Sequence, residues 1–251
     1  MVSAPRSTAR RGRPPKSLTS PPQTSGRTQK PGTQRAVAKE ATRLKLIEAT
    51  IDSIAHSGFA DTTLAKVSEG AGLSRGIVNF HFTSKDALLV ETLTHLADEY
   101  TGFWKAAVAK AGDDPAARLR AIVDAEFHPT VCNRKKIAVW YAFWGEARSR
   151  PTYLDVCERQ DRELLETVQS LSAALVEAGG YDSVDAGDVA TGLMALTDGL
   201  WLDLLLTPTR FDRNGARRVC LAFLMGMFPR HFTGRADDGA LDAKGDTVSA
   251  A

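Results

Sequence analysis

Cysteine is scarce: Cys132, Cys157 and Cys220 are the only three in 251 residues, and they lie far apart. They match no zinc-ligand spacing and no disulfide framework, so a reducing cytoplasm and three small buried hydrophobes are expected. Long apolar runs are also missing. The longest nearly apolar stretch, residues 219–228, falls well short of the ~20 residues that span a bilayer, which predicts no transmembrane helix. No Gly-rich phosphate loop occurs, and no nucleophile stands beside a base. His56, His81, His95, His128 and His231 are scattered. No enzymatic activity, metal or cofactor is expected.

Acid is absent from the first 39 residues, which hold nine bases; of the chain's 32 basic and 30 acidic residues, 23 bases and 30 acids remain beyond them. That segment is rich in Pro, Ser, Thr and Gly and cannot bury enough apolar surface to fold, so a disordered basic arm is expected over residues 1–34. It lacks the apolar stretch of a secretory signal, and its prolines spoil a transit helix. Within it, Arg10-Arg11-Gly12-Arg13-Pro14-Pro15-Lys16 resembles an AT-hook, whose Arg11 and Arg13 would lie in a narrow minor groove. The alternative is a solubilising tail that raises non-specific DNA affinity by counterion release. Residues 230–251 carry little apolar content and predict a frayed tail.

Residues 62–86, TTLAKVSEGAGLSRGIVNFHFTSKD, are the most informative. Thr63 is suited to cap a short helix on which Leu64, Val67 and Ala71 share a face, and Gly72 supplies the left-handed residue that ends it. Leu73 plugs the turn and Ser74 caps a second helix, running from Arg75 to about His81. Two helices joined by a short Gly-containing turn form a helix-turn-helix, whose second helix enters the DNA major groove. Val78 and Phe82 belong to its core side. Arg75 and Asn79 share another face, with Gly76 and Ile77 near its start. Arg can fork onto guanine and Asn onto adenine. Phe80 and His81 suit the sugar–phosphate chain, and Lys85 adds a cation at the next helix N-terminus, where Ser84, or Thr83 paired with Asp86, is the expected cap.

These residues carry a resemblance. Thr62-Thr63-Leu64, Ala71-Gly72-Leu73-Ser74, Phe80-His81-Phe82 and Ser84-Lys85 resemble the DNA-binding domain of the TetR family of bacterial regulators. Many members carry Tyr where this chain has Asn79 and His81, so Tyr-mediated phosphate contacts do not transfer.

An earlier helix, about residues 36–56, aligns Leu44, Ile47, Ile51 and Ile54, and Gly58 ends it. Beyond residue 84, Pro and Gly breaks divide helical segments near 84–111, 115–127, 134–148, 152–178, 184–206 and 213–228. The fold class is therefore all-α. A three-helix helix-turn-helix domain over 35–90, with the motif at about 63–82, precedes a six-helix bundle over 91–229, which the resemblance implies is the ligand-binding and dimerisation domain.

Trp140, Phe143 and Trp144 fall at i, i+3 and i+4, with Tyr141 beside them, and Asp198 and Trp201 share a face of a later helix. Two readings are open: ordinary core, or a box for a cationic amine, since Trp faces attract quaternary ammonium. The stretches 140–154 and 196–206 resemble the BetI branch of the TetR family, the choline-responsive repressors. The resemblance covers residues 36–228. It implies a homodimer through the last two helices, a double-stranded DNA operator of pseudo-palindromic form, no membrane partner, and repression relieved by choline or betaine aldehyde. Glu146, Arg148 and Asp203 depart from that branch by adding charge, and a polyamine is an equally physical ligand. A further alternative is an architectural DNA-binding protein dominated by its arm.

Overall fold

A computed structural model describes residues 31–233; residues 1–30, with Arg11 and Arg13, and residues 234–251 lie outside the described residues. Two units divide the chain, Met1–Ala38 and Lys39–Ala251. Among the described residues the secondary structure is entirely helical: α1 (Pro31–Ser57), α2 (Leu64–Gly70), α3 (Arg75–His81), α4 (Lys85–Lys110), α5 (Pro115–Glu126), α6 (Arg134–Ala147), α7 (Pro151–Gly179), α8 (Ala186–Leu206) and α9 (Arg213–Met227).

The helix ends follow local chemistry. Thr63 caps α2 by accepting the Lys66 N–H at 3.2 Å, and Ser84 caps α4 by accepting that of Ala87 at 3.0 Å. Asp114 and Pro115 start α5, Asn133 caps α6, and Asp185 caps α8. Gly72 closes α2 at φ 60°, with the Leu73 N–H reaching back to the Ser68 carbonyl at 2.9 Å. Three expectations shift. Ser74 stands at the N-cap of α3, but its side chain makes no cap bond. Asp86 does not close a capping box; it pairs with Arg150 instead. Pro31 opens α1, so the helix begins within the segment expected to be disordered arm; a proline is pre-organised for that first position.

The core of Lys39–Ala251 is continuous. Leu46, Ile47, Ile51 and Ile54 of α1 join Val67 and Ala71 of α2, Val78 of α3, Phe82, and Leu88, Leu89 and Leu93 of α4. Leu44, expected on that stripe, is exposed, and Leu46 takes its place because the true buried face is rotated toward it. Behind these, α7 packs along α4, α5, α6 and α8, and α9 lies against α5 and α8. The C-terminal boundary also moves: Phe232 is buried, and the Arg230 N–H donates to the Tyr181 hydroxyl at 2.8 Å, so residues 230–233 are packed rather than frayed.

The longest apolar segment is α8 rather than residues 219–228. By length and hydropathy α8 is apolar enough to cross a bilayer, with a mean hydropathy of 1.5 over its best 18-residue window, of which one third is buried. Thr191, Thr197, Gly192, Gly199 and Asp198 break the run to the eye without lowering its average much. Such helices are also found as core elements of helical bundles, and α8 contributes Val189, Ala190, Leu193, Trp201 and Leu204 to the core here.

Candidate DNA-reading face and effector cavity

On α3 the sorting of residues follows the helix period. Val78 is fully buried and Phe82, just past the helix, nearly so. Arg75, Gly76, Ile77, Asn79 and Phe80 are exposed, as are Thr63 and Ser74, and His81 is half-buried. Phe80 is 71% exposed, unusually bare for a phenyl ring, with Lys39 Nζ 5.6 Å over it and His81 against its edge. A short helix that presents Arg, Asn and an aromatic ring outward while two apolar anchors hold it suits insertion into a groove. Lys85 is half-buried, its ammonium 5.8 Å from the Phe59 ring.

The body contains a narrow cleft, partly open to solvent, with a free volume of about 20 Å³. Its aromatic wall is Tyr100 (α4), Trp140 and Trp144 (α6) and Trp201 (α8). Its carboxyl groups are Glu126 (α5), Asp161 (α7) and Asp198 (α8). The rings meet obliquely: Tyr100 lies 6.3 Å from Trp140 and 5.9 Å from Trp201, both edge-on, and Trp140 lies 6.2 Å from Trp144. Gln160, Met194 and Thr197 complete much of the remaining surface.

Glu126 is the most buried of the acids, at 3% exposure. The Tyr100 hydroxyl donates to its Oε1, and the Trp201 indole N–H donates to its backbone carbonyl at 3.1 Å. That second bond satisfies the last carbonyl of α5, which has no helical partner of its own. Oε2 is buried and accepts no hydrogen bond among the described residues. Burial pushes the Glu126 carboxyl up to about 8; the Tyr100 bond pulls it down, and Asp198 and Asp161 add to the rise. Burial, then Glu126, lifts Tyr100 well above its ordinary range. Asp161 rises to about 6 through burial, Asp198 and Glu158. Desolvation raises Asp198 to about 6, although the residue as a whole is exposed.

Of the residues expected to form one aromatic box, the fold gathers Trp140, Trp144, Asp198 and Trp201 at the cleft and leaves two elsewhere. Phe143 is fully buried on another face, edge-on to Phe59 at 5.5 Å and Tyr153 at 5.3 Å. Successive steps of 100° place Trp144 and Phe143 on either side of Trp140, and the packing of Phe143 against Phe59 and Tyr153 leaves Trp144 to join Trp140 at the cleft. Tyr141 lies outside the lining, donating to the Asp198 carbonyl at 2.7 Å and packing edge-on against Trp144. Sequence reasoning missed Glu126, Tyr100, Asp161 and Gln160. A signal for Glu126 existed: Leu119, Ile122, Val123 and Glu126 fall at i, i+3, i+4 and i+7, which puts a carboxyl group on an apolar stripe.

Both ends of α6 are tied to helices of the reading end. Lys135 pairs with Asp52 of α1 at 2.6 Å and Lys136 with Glu99 of α4 at 2.7 Å. Just past its C-terminus, Arg150 pairs with Asp86 at the start of α4 at 2.9 Å and with Glu146 at 3.4 Å. Its guanidinium also lies 5.9 Å from the Phe59 ring and 5.5 Å from that of Tyr153.

A helix-turn-helix with a bare polar face, carried on a helical body, defines a DNA-binding regulator. Comparison with known proteins narrows this. Residues 46–92 match the bacterial regulatory proteins of the tetR family, and residues 115–229 match the C-terminal domain of BetI-type transcriptional repressors. The HTH-type transcriptional regulator BetI of Burkholderia thailandensis is 36% identical over 184 residues, covering 72% of this chain and 90% of that protein. A putative transcriptional regulator from Pseudomonas aeruginosa PAO1 has a similar structure (TM-score 0.68, 29% identity, 77% of this chain and 93% of that one). A putative transcriptional regulator from Saccharomonospora viridis, solved in complex with choline, shares the fold (TM-score 0.65, 23% identity, 74% and 96%). The chain belongs to the TetR family of bacterial transcriptional regulators, with a BetI-type C-terminal domain; it is a DNA-binding repressor and not an enzyme.

Proposed function

We propose that the protein is a one-component repressor in the cytoplasm, released from its operator by a small organic cation that binds in the cleft, with choline or betaine aldehyde as the first ligands to test. The observation that carries this reading is the composition of the cleft: four aromatic rings and three carboxyl groups converge there, and no Lys or Arg lines it. An organic cation would take up the faces of the rings, each worth ~0.5–2 kcal/mol, and would compensate acids that are costly to bury alone. The choline in the S. viridis regulator makes choline the natural first probe. The three acids also favour a polyamine as the second reading.

In this proposal Arg75 and Asn79 read base edges, Ile77 and Gly76 approach the groove floor, and Thr63, Ser74, Phe80, His81 and Lys85 lie along the backbone. The repressor acts as a homodimer, so the operator is a pseudo-palindrome. Support for the dimer comes from an uncovered stripe on α8, formed by Thr191, Ala195, Gly199, Leu202 and Leu206, beside Val219, Ala222 and Gly226 of α9. Leu206 is 67% exposed and Val219 46%.

The test is binding to the DNA upstream of the protein's own gene at fixed salt, with and without choline, betaine aldehyde and spermidine. Release by choline or betaine aldehyde is the expected result. Release by spermidine alone moves the ligand class to polyamines, and specific binding that none of the three disturbs returns the aromatic cleft to ordinary core.

A further inference from the structure

The acids of the cleft are not equivalent. Asp161 and Asp198 keep some contact with solvent, whereas Glu126 is closed in, with Oε1 held by the Tyr100 hydroxyl and Oε2 buried at the cleft with no donor among the described residues. Among the described residues, the charged groups that line the cleft with it are the acids Asp161 and Asp198. From α4 it faces Tyr100, from α7 Asp161 and from α8 Asp198. Cys132, in the α5–α6 loop, and Cys220, on α9, both feel its charge. From α6 the cleft receives only the Trp140 and Trp144 rings. Of the arginines of α9, Arg217 pairs with Asp124 and Arg213 donates to the Cys132 carbonyl at 2.9 Å. A carboxylate walled in by rings and by other acids would be a buried charge without compensation.

We propose that Glu126 is the counter-ion of the effector's cationic centre and that it takes this role by giving up its own proton, so that each effector bound releases a proton to solvent. In the empty cleft Glu126 holds its proton and is neutral. When an organic cation enters, its positive charge beside Oε2 favours the ionised carboxyl; the carboxyl O–H bond breaks, the proton leaves to buffer, and a neutral pair of opposite charges remains. The raised pKa of the empty state, about 8, agrees with this geometry. The proposal rests on the cationic-ligand reading and adds a pH rule to it: effector affinity rises with pH up to about 8 and levels off above.

Choline is the suitable probe because a quaternary ammonium carries no proton of its own. Asp161 and Asp198, each near 6, are ionised above pH 7, and Tyr100 and the cysteines remain protonated up to pH 8.5, so Glu126 is the cleft group that changes between pH 7 and 8.5. Calorimetric titration of the full chain with choline at pH 7.0, in two buffers of different ionisation enthalpy, is expected to show release approaching one proton per site. Affinity is expected to tighten about fivefold from pH 7 to pH 8. In Glu126→Gln both the proton release and the slope disappear, while operator binding shows that the variant is folded. Choline binding with no proton released by the wild-type protein overturns the proposal and leaves the cationic site standing. Failure of both choline and tetramethylammonium to bind at any pH overturns the cationic-site reading and this proposal together.

Discussion

Replacing Trp201 by Phe separates the two roles this residue holds. The indole is 3% exposed, its N–H donates to the Glu126 carbonyl at 3.1 Å, and its ring stands edge-on to Tyr100 at the cleft. Phenylalanine keeps a ring but removes the donor, leaving the last carbonyl of α5 buried and unpaired at a cost of about 1–3 kcal/mol. The lost volume, roughly 40 Å³, adds about 1 kcal/mol where the surroundings do not close in. For a chain of this size these together lower the melting temperature on the order of 5–10 °C. The smaller ring also attracts a cation less well, so choline affinity should fall about two- to fivefold. Operator affinity below the melting range should stay as in the wild type. The assays are calorimetric melting, choline titration and operator binding on the same preparation. An unchanged melting temperature would refute the cap argument for the indole N–H. A lowered one with unchanged choline affinity would show that Trp201 is core and not a wall of the ligand site.

Three further predictions concern the reader and the buried acid. Arg75→Ala should weaken operator binding by about 1–3 kcal/mol with relaxed preference at one base position, measured against a set of single-substituted operators; uniform weakening across the set would make Arg75 a phosphate contact. Gly72→Ala meets open space but must keep φ near 60°, so a loss of about 1–2 kcal/mol in denaturant melts is expected from backbone conformation alone, and no loss would mean the turn relaxes away from the left-handed region. Glu126 is protonated up to about 8 in the folded protein and ionises near its ordinary 4.5 when unfolded. The folded state therefore holds a proton the unfolded chain has lost, and its stability should fall as pH rises from 4.5 to about 8 and then level off. Asp161 and Asp198 add the same trend only up to about 6, so melting curves between pH 6.5 and 8.5 isolate Glu126, and Glu126→Gln should flatten them.

The helices were legible because their ends are written in single residues: Thr63, Ser84, Asp114, Asn133 and Asp185 as caps, Gly58, Gly72 and Gly180 as left-handed exits, Pro115 and Pro151 as starts. The outward-facing set on α3 was legible for the same reason, since a seven-residue helix leaves little freedom in which side chains point outward. The cleft was legible only in part. Trp140 and Trp144 are one helical turn apart, and Asp198 and Trp201 share a face. Tyr100, Glu126 and Asp161 come from three other helices, and no spacing in the chain records that α4, α5 and α7 converge. Phe143 shows the opposite difficulty: a spacing of three permits a shared face, and the packing of Phe59 and Tyr153 decides otherwise.

The attachment of α6 has a mechanical consequence. Trp140 and Trp144 project from a helix flanked by ion pairs, from Lys135 and Lys136 on one side and from Arg150 on the other, to α1 and α4. In the proposed function, a ligand that displaces the two indole rings would pull through these pins on α1 and α4. The pins are ion pairs at the surface, and salt slackens them while leaving the rings untouched. In the proposed function, ionic strength would therefore act twice, loosening this linkage between cleft and reader and weakening the operator contacts by counterion release.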